Sequence, residues 1–300
     1  MKAFLNRLAL FILPFLLLFL FIEYRLRTIQ SSYEIKRDGL VALQDSIQIL
    51  AVGNSHAGNG IDPMCFKLPA YNLALGSQSI LYDKQLVLKY IPMLKKLKYV
   101  IISIDYPSLY WGYEREFFYY RYFGFNVNKR NFWKERFSFF FNVYSPQVSL
   151  KYLFNHENAK HTHGWAGQES TDFMHLSEAA GKDRVAQLNN DIKLSKLHNF
   201  ITSELESLIV VLKQNKITPI LITSPCSKYF NNNLDKKIVD ANLSFIHQLQ
   251  AKYNLIYFDA QHSSSFSDAD FFNVDHLNKQ GAIKFSKQID SVISSSEVKY

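Results

Sequence analysis

Three hundred residues suffice for one large α/β domain or two smaller ones. A composition of 48% apolar and 20% charged residues excludes a mainly disordered, collagenous or low-complexity chain. Two cysteines, Cys65 and Cys226, exclude a disulfide-dense scaffold and an all-Cys zinc site, while one disulfide stays open. The net charge of +8 suits an anionic partner: a phospholipid surface, an acidic glycan or a nucleic acid.

The chain opens on fifteen unbroken apolar residues, 8–22, LALFILPFLLLFLFI. As a helix this run measures about 22 Å, short of a hydrocarbon core of about 30 Å. Phe4, Leu5 and Tyr24 extend it, with Arg7 able to snorkel. A signal-peptide core has the same length and basic lead, but no A-x-A-like cleavage site follows. The segment 1–27 therefore reads as an uncleaved membrane anchor, a cleaved signal peptide being the alternative. Basic residues flank both ends, so charge barely sets the orientation. The bulk of the chain is expected outside the cytoplasm, periplasmic or extracellular, because one N-terminal apolar segment is the usual export signal.

Residues 28–45 are polar and mixed and read as a stalk, and residues 46–300 as the main domain. Short apolar strands are predicted at 46–53 (ending at Gly53), 71–75, 99–104, 217–223 and 255–258. Helical spacing is predicted over 79–97, bent or ended by Pro92, and over 191–215, 234–253 and 278–293. Strands alternating with helices imply βαβ units and a parallel sheet of about five strands. Strands apolar throughout suit a sheet covered on both faces. Ligands bind such sheets at the carboxyl ends of the strands.

A long insertion, 106–190, separates the third and fourth strands. Of residues 106–144, 18 are aromatic and six are Lys or Arg. This half reads as the core of a small subdomain, as a membrane-interface surface, or as a cover that stacks on sugars. Nucleic-acid binding is disfavoured for an exported chain. The second half is polar and carries His156, His161, His163 and His175. It reads as a solvated loop rather than a metal site, since zinc wants three or four ligands on ordered structure.

The first strand ends in Gly53-Asn54-Ser55-His56 before a predicted helix. A Ser on such a turn stands exposed at the sheet edge, with N–H groups nearby to stabilise developing negative charge. Those are the demands on an acyl-transfer nucleophile, although Ser is also a common N-cap. Far along the chain, Asn273-Val274-Asp275-His276-Leu277-Asn278 lies just after the fifth strand. A His there can reach Ser55 across the sheet edge and exchange its proton, although a surface His is the plainer reading.

Three stretches, ILAVGNSHAGNGIDP, YNLALGSQS and VDHLNKQGAIKFS, resemble the SGNH (GDSL-like) hydrolases. They are most similar to the membrane-anchored, cell-surface branch with the D-alanyl-lipoteichoic acid biosynthesis protein and alginate O-acetyltransferase-like proteins. With VIISIDYPSLY and ILITSP, the resemblance spans residues 48–290 and omits most of the insertion. It implies a flavodoxin-like three-layer sandwich. It also implies Ser55 as nucleophile, His276 as base, and an oxyanion hole from the N–H groups of Ser55 and Gly76. The family's Asp three residues before the His is Asn273 here. Asn can hold the ring but lends the imidazolium no charge. Asp275 can serve only if the loop bends, and a backbone carbonyl is a third candidate. The family's G-x-N-D block reads Ile104-Asp105-Tyr106. Asn54, His56, Asp105 and Tyr106 are candidates for the substrate pocket.

The expected activity is thus a membrane-anchored serine esterase or O-acyltransferase acting on acyl, most simply acetyl, esters of a cell-surface glycan. It needs no metal or organic cofactor. The resemblance implies a multi-pass membrane acyltransferase as partner if the chain is a transferase. A non-catalytic accessory or glycan-binding protein, motivated by Asn273, is the alternative.

Overall fold

A computed structural model of the chain describes residues 1–154 and 161–297. Five strands, β1 (Ile49–Val52), β2 (Ala70–Asn72), β3 (Tyr99–Ser103), β4 (Thr218–Thr223) and β5 (Ile256–Asp259), form one sheet in the order β2-β1-β3-β4-β5. Every pairing is parallel. This is the flavodoxin-like order, whose switch point lies between β1 and β3. The helices are α1 (Lys2–Thr28), α2 (Ser32–Leu43), α3 (Ser55–Gly60), α4 (Ile80–Tyr90), α5 (Glu116–Phe123), α6 (Trp133–Phe137) and α7 (Phe139–Asn142). They continue with α8 (Pro146–Phe154), α9 (Glu178–Leu194), α10 (His198–Gln214), α11 (Lys228–Asn231), α12 (Lys236–Tyr253) and α13 (Lys279–Glu297).

Alternation along the strands sorts the core into two faces. Leu50, Val52, Val100, Ile102 and Leu221 pack with residues of α2, α4, α5, α10 and α12. Ile49, Ala51, Ile101, Ile220 and Ile222 pack with residues of α3, α9, α11 and α13. The result is a three-layer α/β sandwich with an apolar N-terminal helix and the long insertion between β3 and β4. The most apolar 18 residues of the N-terminal helix have a mean hydropathy of 2.4, and none of them is buried. By length and composition it can cross a membrane.

Three expectations change. The segment expected as a stalk is largely helix α2, with Tyr33, Lys36 and Leu40 buried against the sandwich. The long helix expected over 191–215 is two helices. At the break, Ser195 turns extended, donates to the Tyr110 carbonyl at 2.6 Å and accepts from the Leu197 N–H at 3.2 Å. The second half of the insertion is not simply a solvated loop. Trp165 is buried and donates to the Asn59 carbonyl, and the Asn72 N–H of β2 donates to the His163 carbonyl. Gly164 makes this approach possible: at φ +82°, a Cβ there would stand 2.1 Å from the Asn72 carbonyl oxygen. His156 lies outside the described residues. Cys65 and Cys226 are free thiols.

Candidate active site

The turn after β1 has a backbone that requires glycine. Gly53 sits at φ +135°, and a Cβ there would meet the Ser103 Cβ at 2.7 Å. Asn54 caps α3, its Oδ1 accepting the His56 N–H at 2.8 Å. Ser55 is thereby the first residue of α3, with its hydroxyl on the rim. β2 runs on beside this turn: the Leu73 N–H donates to the Ala51 carbonyl and the Leu75 N–H to the Gly53 carbonyl. Gly76 therefore follows directly alongside. Among the described residues, neither the Ser55 nor the Gly76 N–H has a protein acceptor, which leaves both free for an oxyanion.

Three buried groups hold this corner. Asn72 donates to the Ala57 and Ile61 carbonyls and accepts from the Ala74 N–H. Lys36 of α2 donates to the Ala74 carbonyl, and burial without a counter-charge pulls its pKa down to about 7. Asp83 of α4 accepts from Gln78 at 2.6 Å and faces the Gly53 N–H. Burial pushes its carboxyl up to about 7.

From the other side of the sheet edge, His276 Nε2 lies 2.8 Å from Ser55 Oγ. Behind the ring lie two of the three candidates the sequence offered. Asn273 Oδ1 accepts the backbone N–H groups of Asp275 (3.2 Å) and His276 (2.9 Å), an Asx turn that bends the loop. The bend brings two oxygens to the ring's Nδ1: the neutral Asn273 Oδ1 at 3.1 Å and the charged Asp275 Oδ1 at 3.0 Å. Asn273 shapes the loop, and both its amide oxygen and the Asp275 carboxylate lie against the same ring nitrogen.

Asp275 is buried, and burial alone would raise its pKa. The hydrogen bond and electrostatic pull of the His276 ring, with the neighbouring His56 ring and the Arg184 guanidinium, overcome that and hold it well below the usual carboxylate range. Arg184 Nε stands 2.7 Å from Asp275 Oδ2. It comes from α9, in the insertion, and the sequence reading missed it. A signal existed: Arg184 lies three residues after Gly181 and four before Leu188, both buried, and so on the inward side of the helix.

Asn54, His56, Asp105 and Tyr106, expected to line the substrate pocket, are all buried beneath the site instead. His56 lies between two carboxylates, with Nδ1 3.8 Å from Asp105 Oδ1 and Nε2 3.9 Å from Asp275 Oδ2, and its ring centroid is 4.9 Å from that of His276. Burial lowers its pKa against the pull of both carboxylates. Asp105 is held by the Ser103 hydroxyl (2.6 Å) and the Ser224 N–H (3.1 Å). Tyr106 donates to Asn189 at 2.6 Å. These residues support the rim.

Two hollows of about 670 Å³ each share Arg184 and Gln187 in their walls. One opens beside Asn273 and His276 and is walled by His175 and Met174. The other runs past Ser77, Trp111 and Glu114. The insertion lines much of both, and the hollow beside His276 places it next to the Ser55–His276 pair.

His56, Asp275 and His276 each offer a ligand atom within 4.8 Å of the others. The Arg184 guanidinium already occupies the Asp275 carboxylate, so a cation there would face a fixed positive charge. His161 sits on the Gly164 carbonyl, His163 on Met64 and His175 on Asp172, so these three do not converge.

No family model matches the chain, and no curated protein matches it. Solved structures similar to it include a GDSL-like lipase from Bacteroides thetaiotaomicron, at 11% identity and TM-score 0.41, covering 88% of this chain and 100% of that one. The lipase/acylhydrolase from Enterococcus faecalis is similar at 11% identity and TM-score 0.39, covering 83% and 95%. The acetylxylan esterase Axe2 from Geobacillus stearothermophilus is similar at 9% identity and TM-score 0.38, covering 81% and 92%.

Proposed function

We propose that this chain is an SGNH-type serine esterase or O-acyltransferase, held at a membrane by α1 and acting outside the cytoplasm on acyl, most simply acetyl, esters of a cell-surface glycan. The observation that carries the reading is the 2.8 Å contact between Ser55 Oγ and His276 Nε2, made by residues 221 positions apart. In this reading Ser55 Oγ attacks the ester carbonyl and its proton passes to His276 Nε2. The developing oxyanion takes the N–H groups of Ser55 and Gly76. The imidazolium is held by Asn273 and stabilised by Asp275. The leaving alkoxide collects the proton from Nε2, and an acyl-Ser55 ester remains. Water or a glycan hydroxyl then gives its proton to His276 and takes the acyl group, which restores Ser55. A transferase would receive its donor from a multi-pass membrane acyltransferase partner. The non-catalytic reading draws its motive from Asn273, and the Asp275 carboxylate 3.0 Å from the ring supports the catalytic one.

The test is acyl-enzyme formation. The full chain in detergent is mixed with an activated acetyl ester and weighed intact, beside Ser55→Ala and His276→Ala. The reading expects a gain of about 42 Da, one acetyl group, that is absent in Ser55→Ala and slow in His276→Ala. Its decay with and without added glycans separates transferase from esterase. A folded chain with neither adduct nor turnover would sink the enzyme reading.

A further inference from the structure

The end of α1 is built into the insertion. The Glu23 carboxylate caps α7, accepting the N–H groups of Phe139 (3.0 Å) and Phe140 (2.9 Å) and the Ser138 hydroxyl. Arg27 donates to the carbonyls of Arg136 (2.6 Å) and Phe137 (3.1 Å). Leu26 is buried among Phe117, Phe132 and Phe139. Signal-peptide cleavage after Glu23 would therefore uncap a helix, and cleavage after Leu26 would also tear out part of a packed core.

This junction sets a depth. Phe141 stacks on Phe19 of α1 with ring centroids 5.9 Å apart. Phe19 lies three residues inside the end of the apolar run, or about 4.5 Å along the helix axis. A ring at that level beside a spanning helix stands in hydrocarbon, yet Phe141 is 64% exposed in the folded chain. Phe137 (69%) and Trp133 (59%) are exposed on the neighbouring turns. Such a run of bare aromatic surface is costly in water and favourable in a bilayer. The apolar run alone measures about 22 Å against a core of about 30 Å, and Phe141 widens its outer end at the level of Phe19.

The rim carries matching charge. Arg27 and Arg121 bracket the Phe139 ring at 4.7 and 4.9 Å, and Arg136 lies over Tyr120 at 4.8 Å. Lys129, Arg130 and Lys134 are exposed beside them. Aromatic rings below and cations at headgroup level fit an anionic phospholipid surface.

We propose that the aromatic insertion is a membrane-embedded collar: Phe141, Phe137 and Trp133 enter the phospholipid leaflet around the outer end of α1 and, with the Glu23 cap, hold the active-site domain rigidly against the bilayer. The proposal rests on the reading of α1 as a retained anchor, and the test separates the two. The full chain is reconstituted into vesicles of phosphatidylcholine and phosphatidylglycerol whose acyl chains carry bromine near the glycerol end or at mid-chain. Tryptophan quenching is compared between the wild type, Trp133→Phe and Trp133→Phe/Phe141→Trp. All substitutions fall on exposed rings, so the fold is spared. We expect Trp133→Phe to cut quenching by the shallow bromines about twofold, and Phe141→Trp to restore it with greater weight from the mid-chain bromines. Chain that resists alkaline carbonate extraction but shows no change in quenching with either substitution would overturn the collar while leaving the anchor. Unquenched Trp133 with concentration-dependent cross-linked dimers would make the surface a contact between two copies, which also overturns it. Chain released by carbonate would overturn the anchor and the collar together.

Discussion

Replacing Asp275 by Asn tests which residue serves His276. The substitution keeps the shape and removes one buried charge 3.0 Å from Nδ1. At an effective dielectric of about 20, a carboxylate–imidazolium pair at that distance is attracted by about 5.5 kcal/mol. At about 1.36 kcal/mol per decade, this sets a ceiling near 10⁴ on the loss of turnover. Asn273 still accepts from the same nitrogen at 3.1 Å, and Arg184 partly offsets the lost charge. The expected fall in kcat is therefore about 10² to 10³, with little change in KM, because the imidazolium exists only along the reaction path. The assay is hydrolysis of an activated acetyl ester by the full chain in detergent, with thermal melting to confirm folding. Asn273→Ala should act differently, losing the turn, lowering Tm and displacing the ring, while Asn273→Asp keeps the turn acceptor and retains most activity. A folded Asp275→Asn within about threefold of wild type, beside an inactive but folded Asn273→Ala, would refute the assignment of charge to Asp275.

Three further outcomes are expected. Arg184→Ala removes the partner 2.7 Å from Asp275, so its carboxylate is less favoured. The acid limb of the pH–rate profile should move upward and kcat should fall about tenfold or more, with partial rescue by Arg184→Lys. The pH dependence of stability should show two opposed slopes. Asp83, raised from 3.8 to about 7, gives a folded state that binds more protons than the unfolded one, so stability falls between about pH 4 and 7. Lys36, lowered from 10.5 to about 7, gives a folded state that binds fewer, so stability rises between about pH 7 and 10.5. Denaturant midpoints should lose the fall in Asp83→Asn and the rise in Lys36→Met; unchanged slopes would contradict both environments. Gly53→Ala forces a Cβ into φ +135° and to 2.7 Å from Ser103 Cβ, at a cost of about 2–4 kcal/mol. It should lower Tm by several degrees or abolish folding.

Much of the sheet was legible in the chain because its determinants are local. Apolar runs of strand length ending at Gly53 or at polar residues, spaced by helical periodicity, sufficed to give five parallel strands. The same locality made Ser55 and His276 visible, since each sits at a strand-end or helix-start signal. The break at Ser195 escaped because a serine's hydroxyl on a distant carbonyl, that of Tyr110, leaves no mark on periodicity. The buried face of α2 escaped for a similar reason. Its apolar positions are few, and Lys36 is an ion by composition and becomes a core residue only through the Ala74 carbonyl.

The site divides along the same line. Sequence alone determined which residue types stood at the carboxyl edge and could narrow the ring's partner to Asn273, Asp275 or a backbone carbonyl. Only the folded loop brought both side chains to the ring, because adjacent side chains diverge unless the backbone bends, and the bend depends on Asn273 accepting two N–H groups. Arg184 and the Glu23 cap belong wholly to tertiary structure. Each joins residues 91 or more positions apart, and such pairings follow from how layers pack rather than from any pattern along the chain.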